Sequence, residues 1–432
     1  LPPITKAMAI PNAVTIRGGF NAYESAPEDR QPGAVSTIDG GKTMPLNVEG
    51  LVNLTAAEGE YVLDALAFAR SYHRGLMKTG AADLTLVGCR FTDNGYKSNV
   101  ACTGRGLYAT GSTSLSRLTV TDCVFEGNRE HLPTAIGTSN ISGGGAYVKD
   151  FAAVTIVGTA FVTNGFERSG TSNAPGRDNT HGGALYVENA PVQVKDSSFV
   201  GNSCVSHNAN DYDGGCVYVC GNSSGARFEN CAFIGNLSWY FNGYGRCGGA
   251  LTFNLPDSAD AASVVNCTFA YNLHAEGSSA AIGAAALNCR KGAIAVENSI
   301  FFGNLVRSGS SCVADVYVNA EATCTLDSSL VEAEGDAALK YYSSTVQKTD
   351  VLVGDPLFAT DRTTALAMIN HGSMSGPVCG DSPYFKKIAD TLAIDVHVAS
   401  TVGRWDPAQK AWVNDAADSP AIDTARADAP YN

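Results

Sequence analysis

The chain has 432 residues, a formal net charge of −13, 46 glycines and 44% hydrophobic residues. An acidic balance offers nothing to neutralise phosphates and sets nucleic acid aside as a partner. No run of about 18 apolar residues is present to form a membrane span. The low charged fraction of 16%, with abundant Gly, Ser, Asn and Thr, fits a secreted β-rich protein.

Near the N-terminus the run Ala13-Val14-Thr15-Ile16-Arg17 alternates with period two and predicts a strand. No signal peptide is visible at Leu1, so the chain reads as a mature or trimmed form. Residues 1–80 read as irregular β-helix coils. Residues 62–68 have a composition that would suit a short helix, but their context favours a strand.

Residues 81–330 carry two interleaved motifs. Phe-x-x-Asn recurs seven times, starting at Phe91, Phe125, Phe161, Phe199, Phe233, Phe269 and Phe301, in steps of 34, 36, 38, 34, 36 and 32 residues. Between them stand Gly143-Gly144-Gly145-Ala146-Tyr147, Gly182-Gly183-Ala184-Leu185-Tyr186, Gly214-Gly215-Cys216-Val217-Tyr218, Gly248-Gly249-Ala250-Leu251 and the weaker Gly283-Ala284-Ala285-Ala286-Leu287. Motifs repeating in register define a stacked solenoid. Within one repeat, short alternating runs such as Val192-Gln193-Val194-Lys195 are separated by turn residues, and no helical period appears. Short strands joined by tight corners describe a parallel β-helix. The Phe would stack inward on its neighbour one coil away. The Asn falls at a corner, where its amide can bond backbone and the next coil's Asn. The Gly pair allows sharp re-entry into the strand or simply forms a turn.

Cys89, Cys123, Cys231 and Cys267 precede the Phe by two residues, on the same strand face, and read as buried thiols. Thr159, Ser197 and Ser299 hold the equivalent places, which argues against disulfides there. The total of 13 cysteines is odd, so at least one has no partner within the chain. Cys204 and Cys247 lie in variable loops, placed to pair with something. No Cys-x-x-Cys with histidine partners suggests structural zinc.

Residues 331–432 lose the motif and read as terminal coils and a tail packed on the solenoid. The repeats over roughly 81–305 resemble those of chlamydial polymorphic membrane proteins, in which they form surface-displayed, adhesive β-helix passenger domains. The tail is similar to the ending of secreted right-handed β-helix proteins of environmental and gut bacteria. The resemblance is carried by Gly354-Asp355-Pro356-Leu357-Phe358, Gly403-Arg404-Trp405-Asp406 and Ser419-Pro420-Ala421-Ile422-Asp423. Some of that group sit beside carbohydrate-active enzymes. There the chain often continues into a Gly-rich segment; here it stops at Asn432, which leaves the coil end open or trimmed. The resemblance, with the preference for right-handed crossovers, implies an all-β fold. It would be a single-stranded right-handed parallel β-helix of about 10–13 coils, with loop insertions on one face. It also implies an extracellular or bacterial cell-surface location.

The insertions, residues 95–105, 129–142, 165–181, 203–213, 237–247, 273–282 and 305–312, fall at one corner of the coil. Coils spaced about 4.8 Å apart line them up on one face, the usual binding face of a repeat protein. Three successive loops carry Asp178 and His181, then His207, Asp211, Tyr212 and Asp213, then Trp239, Tyr240, Tyr244 and Arg246. An aromatic platform of Trp239, Tyr240 and Tyr244 with Arg246, His207 and Tyr212 would suit a sugar. Asp178, Asp211, Asp213 and His181 are the catalytic candidates of an enzyme reading. An inverting glycosidase needs carboxylates about 6.5–9.5 Å apart, and a uronate lyase needs a cation and a base. Asp211 and Asp213 are an alternative Ca²⁺ site; otherwise no cofactor is expected. Against these stand turn-capping aspartates, a corner histidine and an aromatic lid over the solenoid. The leading expectation is a non-catalytic module for adhesion, glycan binding or fibre assembly. Its partner would be a polysaccharide or a glycan on a host or neighbouring cell surface. An inverting hydrolase or a polysaccharide lyase is the alternative. Unpaired strand edges at the coil ends add head-to-tail self-association.

Overall fold

The computed structural model describes residues 7–20, 24, 30–31, 33–42, 50–95, 102–132, 141–168, 180–206, 215–240, 246–276, 282–307, 311–332, 339–341, 346–369, 393–406 and 409–421. The fold is a parallel β-helix solenoid. A typical coil contains three strands, Leu107–Thr110, Arg117–Thr121 and Val124–Glu126. Each pairs in parallel, without slippage, with its counterpart in the next coil: Ala146–Lys149, Ala153–Val157 and Ala160–Val162. The first two strands of successive coils belong to a 20-stranded sheet and the third to an 11-stranded sheet, one strand per coil. In two late coils the corner between the first two strands straightens, leaving the continuous strands Leu287–Glu297 and Val316–Asp327. The segment expected to be a strand at residues 62–68 forms parts of two, Glu60–Asp64 and Leu66–Ala69, divided by a left-handed corner at Ala65 (φ 53°).

Period-two alternation sets what enters the lumen. Leu107 and Ala109 are buried, whereas Tyr108 and Thr110 point out and are half-buried. The phenylalanines stack as expected, with centroids 4.5 to 5.1 Å apart from Phe68 to Phe301. Phe68 extends the ladder one coil before the motif begins.

The asparagines form a second ladder. Asn128 Nδ2 donates to Asn164 Oδ1 at 2.8 Å and to Phe91 O at 2.8 Å, and its backbone N–H donates to Asn164 Oδ1 at 3.1 Å. The same three bonds recur at Asn94, Asn164, Asn202, Asn236 and Asn272. Every rung therefore satisfies buried amide groups of two neighbouring coils.

The Cys-x-Phe thiols are buried and do what the serines and threonine do in other coils. Cys123 Sγ reaches back to Thr121 O at 3.3 Å, as Thr159 Oγ1 does to Val157 O at 3.1 Å and Ser197 Oγ to Lys195 O at 2.8 Å. The two sequence motifs also meet in space. A Cβ on Gly106 would lie 3.1 Å from Asn128 Cγ and 3.1 Å from Phe125 Cδ1, and one on Gly145 would crowd Asn164 and Phe161 in the same way.

Beyond the coils, the tail packs on the outer face of the 11-stranded sheet. Phe358, Ala365 and Ile394 join Ile234, Ala270, Tyr271 and Phe302 in a separate apolar cluster. Ala365 belongs to a short helix, Arg362–Ile369, which sequence reading did not foresee; Asp361 caps it by accepting from Thr364 N at 3.0 Å. Among the described residues no helix is long and apolar enough to cross a membrane.

Candidate functional site

After each Phe-x-x-Asn from the coil of Phe125 onward the chain leaves the coil. Six outgoing strands, Arg129–Leu132, Gly165–Arg168, Ser203–Ser206, Leu237–Tyr240, Leu273–Glu276 and Leu305–Arg307, form their own parallel sheet. The returning segments pair as well: Ile141–Ser142 with Thr180–His181, and Arg246–Cys247 with Ile282–Ala284 and then Ser311–Val313. The insertions thus build a layered fin along one corner. Its interior row, set by register, runs Glu130, Phe166, Cys204, Ser238 and His274.

The polar members of that row are committed to the fin. Glu130 pairs with Arg105, whose Nε donates to Oε2 at 3.1 Å, both side chains being inaccessible. Burial pushes the Glu130 carboxyl above its ordinary range, against the pull of Arg105. Cys204 Sγ contacts Thr180 O at 3.1 Å. Ser238 Oγ and His274 Nδ1 are 2.8 Å apart, but both residues are buried and desolvation brings the imidazole down to about 4. A neutral, sealed Ser–His pair holds the fin together and presents no nucleophile to solvent.

The chain re-enters the coil through glycine. Gly104, Gly143 and Gly182 have φ of 67°, 66° and 61°, and a Cβ at each would press within 2.6 Å of a backbone oxygen three residues ahead. The turn carries the chain directly into Leu107–Thr110, Ala146–Lys149 and Leu185–Glu188, whose outward residues are Tyr108, Tyr147 and Tyr186. Register aligns these with Tyr218. The four rings stack with centroids 5.2, 5.1 and 5.6 Å apart and planes within 7°. Tyr108, Tyr147 and Tyr186 are half-buried, and Tyr218 is covered. Arg74 lies 4.5 Å over the Tyr108 ring, held by Nε donation to Thr103 O at 2.8 Å. Beside the tyrosines a second outward row holds Thr110, Lys149, Glu188, Cys220 and Asn254.

This face is wired. Lys149 Nζ donates to Glu188 Oε1 at 2.8 Å, Tyr186 OH to Glu188 Oε2 at 3.2 Å, Cys220 Sγ to Tyr186 OH at 3.3 Å and Asn254 Nδ2 to Tyr218 OH at 3.0 Å. Burial, then the neighbouring Glu188, pushes the Tyr147 phenol up; burial, then Cys220, does so for Tyr186 and Tyr218. The Cys220 thiol is itself pushed up to about 12, mainly by burial. The hydroxyls therefore stay protonated, able to donate and accept but unsuited to act as bases.

Of the candidates read from sequence, His181 lies at the foot of the fin, paired through its strand with Ser142. Its ring is 6.2 Å from Tyr186 and 5.0 Å from Tyr218. Trp239 and Tyr240 sit on an outgoing strand, in register with Val205 and Ser206. Arg246 is on a returning strand in register with Ile282. Asp178, His207, Asp211, Tyr212, Asp213 and Tyr244 lie outside the described residues, and with them the proposed catalytic cluster and Ca²⁺ site. Among the described residues no group of three or more side chains is arranged to hold a metal. The tyrosine ladder was missed as a site. Its signal, an aromatic two or three residues after the Gly pair, was present but was absorbed into the fold motif. Set against protein-family models, curated proteins and solved structures, the chain matches none.

Proposed function

We propose that this chain is an extracellular or cell-surface β-helix module that binds a glycan without chemistry. The observation that carries this reading is the half-exposed row Tyr108, Tyr147 and Tyr186 at the foot of the fin, with the Tyr147 and Tyr186 hydroxyls held protonated beside the Lys149–Glu188 pair. The rings stack on one another, so a ligand meets ring edges and hydroxyls at steps of 5.2 and 5.1 Å, close to the repeat of sugars in an extended chain. A face that is part apolar and part hydroxyl-rich suits the mixed surface of a carbohydrate. Catalysis finds less support on this face. Among the second-row residues beside the exposed tyrosines, Thr110, Lys149 and Glu188, Glu188 is the one carboxylate and is engaged by Lys149 and Tyr186, which leaves no carboxylate pair there for hydrolysis. The resemblance of the repeats to chlamydial surface proteins supports display outside the cell.

The test is a glycan array read together with release of new reducing ends from pooled polysaccharides. Binding that a Tyr147→Ala/Tyr186→Ala double variant abolishes, without release, supports the reading. Release of new ends would overturn it and move attention to Asp178, Asp211 and Asp213.

A further inference from the structure

Resting on that glycan-binding reading, we infer that the tyrosine face takes a short, uncharged oligosaccharide segment about as long as its three exposed rungs, and not a uronate or sulfated polymer laid along the whole solenoid. Two independent observations point there.

The first is that the trough is bounded. The outward row runs in register through Met77, Tyr108, Tyr147, Tyr186, Tyr218, Thr252, Asn288 and Tyr317. It is accessible at the first three tyrosines, but Tyr218, Thr252, Asn288 and Tyr317 are all at most 3% exposed. At the other end the Arg74 guanidinium lies over one face of the half-exposed Tyr108 ring. A polymer lying parallel to the solenoid axis would have to pass through covered coils. A segment spanning Tyr108 to Tyr186 would not.

The second is charge. Recognition of a uronate or sulfate needs a cation that is not already neutralised. Lys149 is held by Glu188 at 2.8 Å, Arg74 is 8% exposed and engaged by Thr103 O and the Tyr108 ring, Thr110 is uncharged, and the next cation in register in the second row, Lys291, stands beyond the covered coils, 3.5 Å from Glu321. The whole chain, at −13, repels polyanions at longer range. Hydroxyl-to-hydroxyl recognition remains. Among the described residues the Tyr108 and Tyr147 hydroxyls have no protein partner and can serve it.

Titration calorimetry tests this with neutral gluco-, manno- and galacto-oligosaccharides from disaccharide to hexasaccharide, and with oligouronates of matching length. Affinity for a neutral series should climb to the tri- or tetrasaccharide, then level off, and change little with salt. Tyr147→Phe, which keeps the stack and removes one hydroxyl, should weaken binding about fivefold. Glu188→Gln releases Lys149 and should confer oligouronate binding that the wild-type chain lacks. Tighter, salt-sensitive wild-type binding to oligouronates would overturn the inference and leave the glycan reading standing. So would affinity that keeps rising to the hexasaccharide. No binding to either series would remove both.

Discussion

Asn304 Nδ2 donates to Asp315 Oδ1 at 3.0 Å, so a carboxylate ends the asparagine ladder where another asparagine would be expected. The next coil has no Phe-x-x-Asn, and Asp315, the residue before the strand Val316–Asp327, supplies the acceptor. It is 1% exposed, and burial lifts its carboxyl to about 7, against the hydrogen bond from Asn304. The folded-state value lies above the unfolded value of 3.8, so the folded chain holds this proton more tightly. Its stabilising contribution is complete below about 4 and is lost as pH rises through about 7.

Asp315→Asn should therefore stabilise the late coils at pH 8, by up to about 4 kcal/mol. The gain should shrink to nothing near pH 4. Thermal melts of both proteins across that range decide it. A variant no more stable than wild type at pH 8 would show that Asp315 is solvated in the folded chain and its carboxyl not lifted by burial.

Within the ladder, truncation should be costly. Asn202 Oδ1 accepts from Asn164 N and Nδ2, and its own Nδ2 donates to Phe161 O and Asn236 Oδ1. Asn202→Ala orphans buried groups on both sides, at about 1–3 kcal/mol each, so a total of roughly 3–5 kcal/mol is expected. Asn304→Ala, at the ladder's end, should cost less. Urea denaturation of the two variants gives the comparison, and equal losses would mean that water replaces the lost amides.

At the base of the fin, Arg105 and Glu130 form an ion pair with 0% side-chain exposure. Near it, burial and then the charges of Arg105 and Arg74 bring His73 down to about 4, so the histidine adds no positive charge at neutral pH. Glu130→Gln leaves Arg105 uncompensated and should destabilise by about 3–5 kcal/mol. A joint Arg105→Met/Glu130→Leu replacement should recover most of that loss. Hydrogen exchange of the strand Arg129–Leu132 is the readout. A double variant as unstable as the single one would mean that the pair fixes the fin's conformation and does more than balance charge.

Much of this architecture is legible in sequence because stacking demands identity at fixed places. A phenylalanine packs best on a phenylalanine one coil away, and an asparagine amide pairs with another asparagine, so Phe91 to Phe301 and Asn94 to Asn304 recur visibly. The fin is illegible for the opposite reason. Its interior row of Glu130, Phe166, Cys204, Ser238 and His274 repeats no residue type, since each rung solves its own packing and hydrogen-bonding problem. The tyrosine ladder repeats as clearly as the phenylalanine one. Tyr147, Tyr186 and Tyr218 follow the Gly pair, but an aromatic beside a turn motif reads as part of the turn until the strand shows which way it points. Spacing from a shared motif does not determine how a long insertion folds, and Asp213, which that spacing aligns with His181, lies outside the described residues.

The tail's docking place was also written in the repeats. The residue before the ladder asparagine is in the left-handed region in successive coils, as Asp93, Gly127, Thr163, Gly201, Gly235 and Gly303. Tyr271 occupies that position with φ of 58°, an arrangement that costs about 1–2 kcal/mol for a residue with a Cβ. The strain is offset by burial: Tyr271 is 0% exposed, packed between Phe302 and Phe358 with centroids 6.2 and 6.3 Å away, and Gly303 has no Cβ because the Tyr271 ring fills that space. Tyr271→Gly should relax the backbone yet loosen the tail, since losing a buried aromatic costs about 3–5 kcal/mol. Phe358→Ala should do the same without touching the coil. Limited proteolysis followed by mass spectrometry should then show faster cleavage around residues 354–361 in both variants, with the melting of the regular coils little changed. Unchanged cleavage in both would mean that Arg404, through Asp415 at 2.8 Å and Asp395 at 3.4 Å, holds the tail without the aromatic anchor.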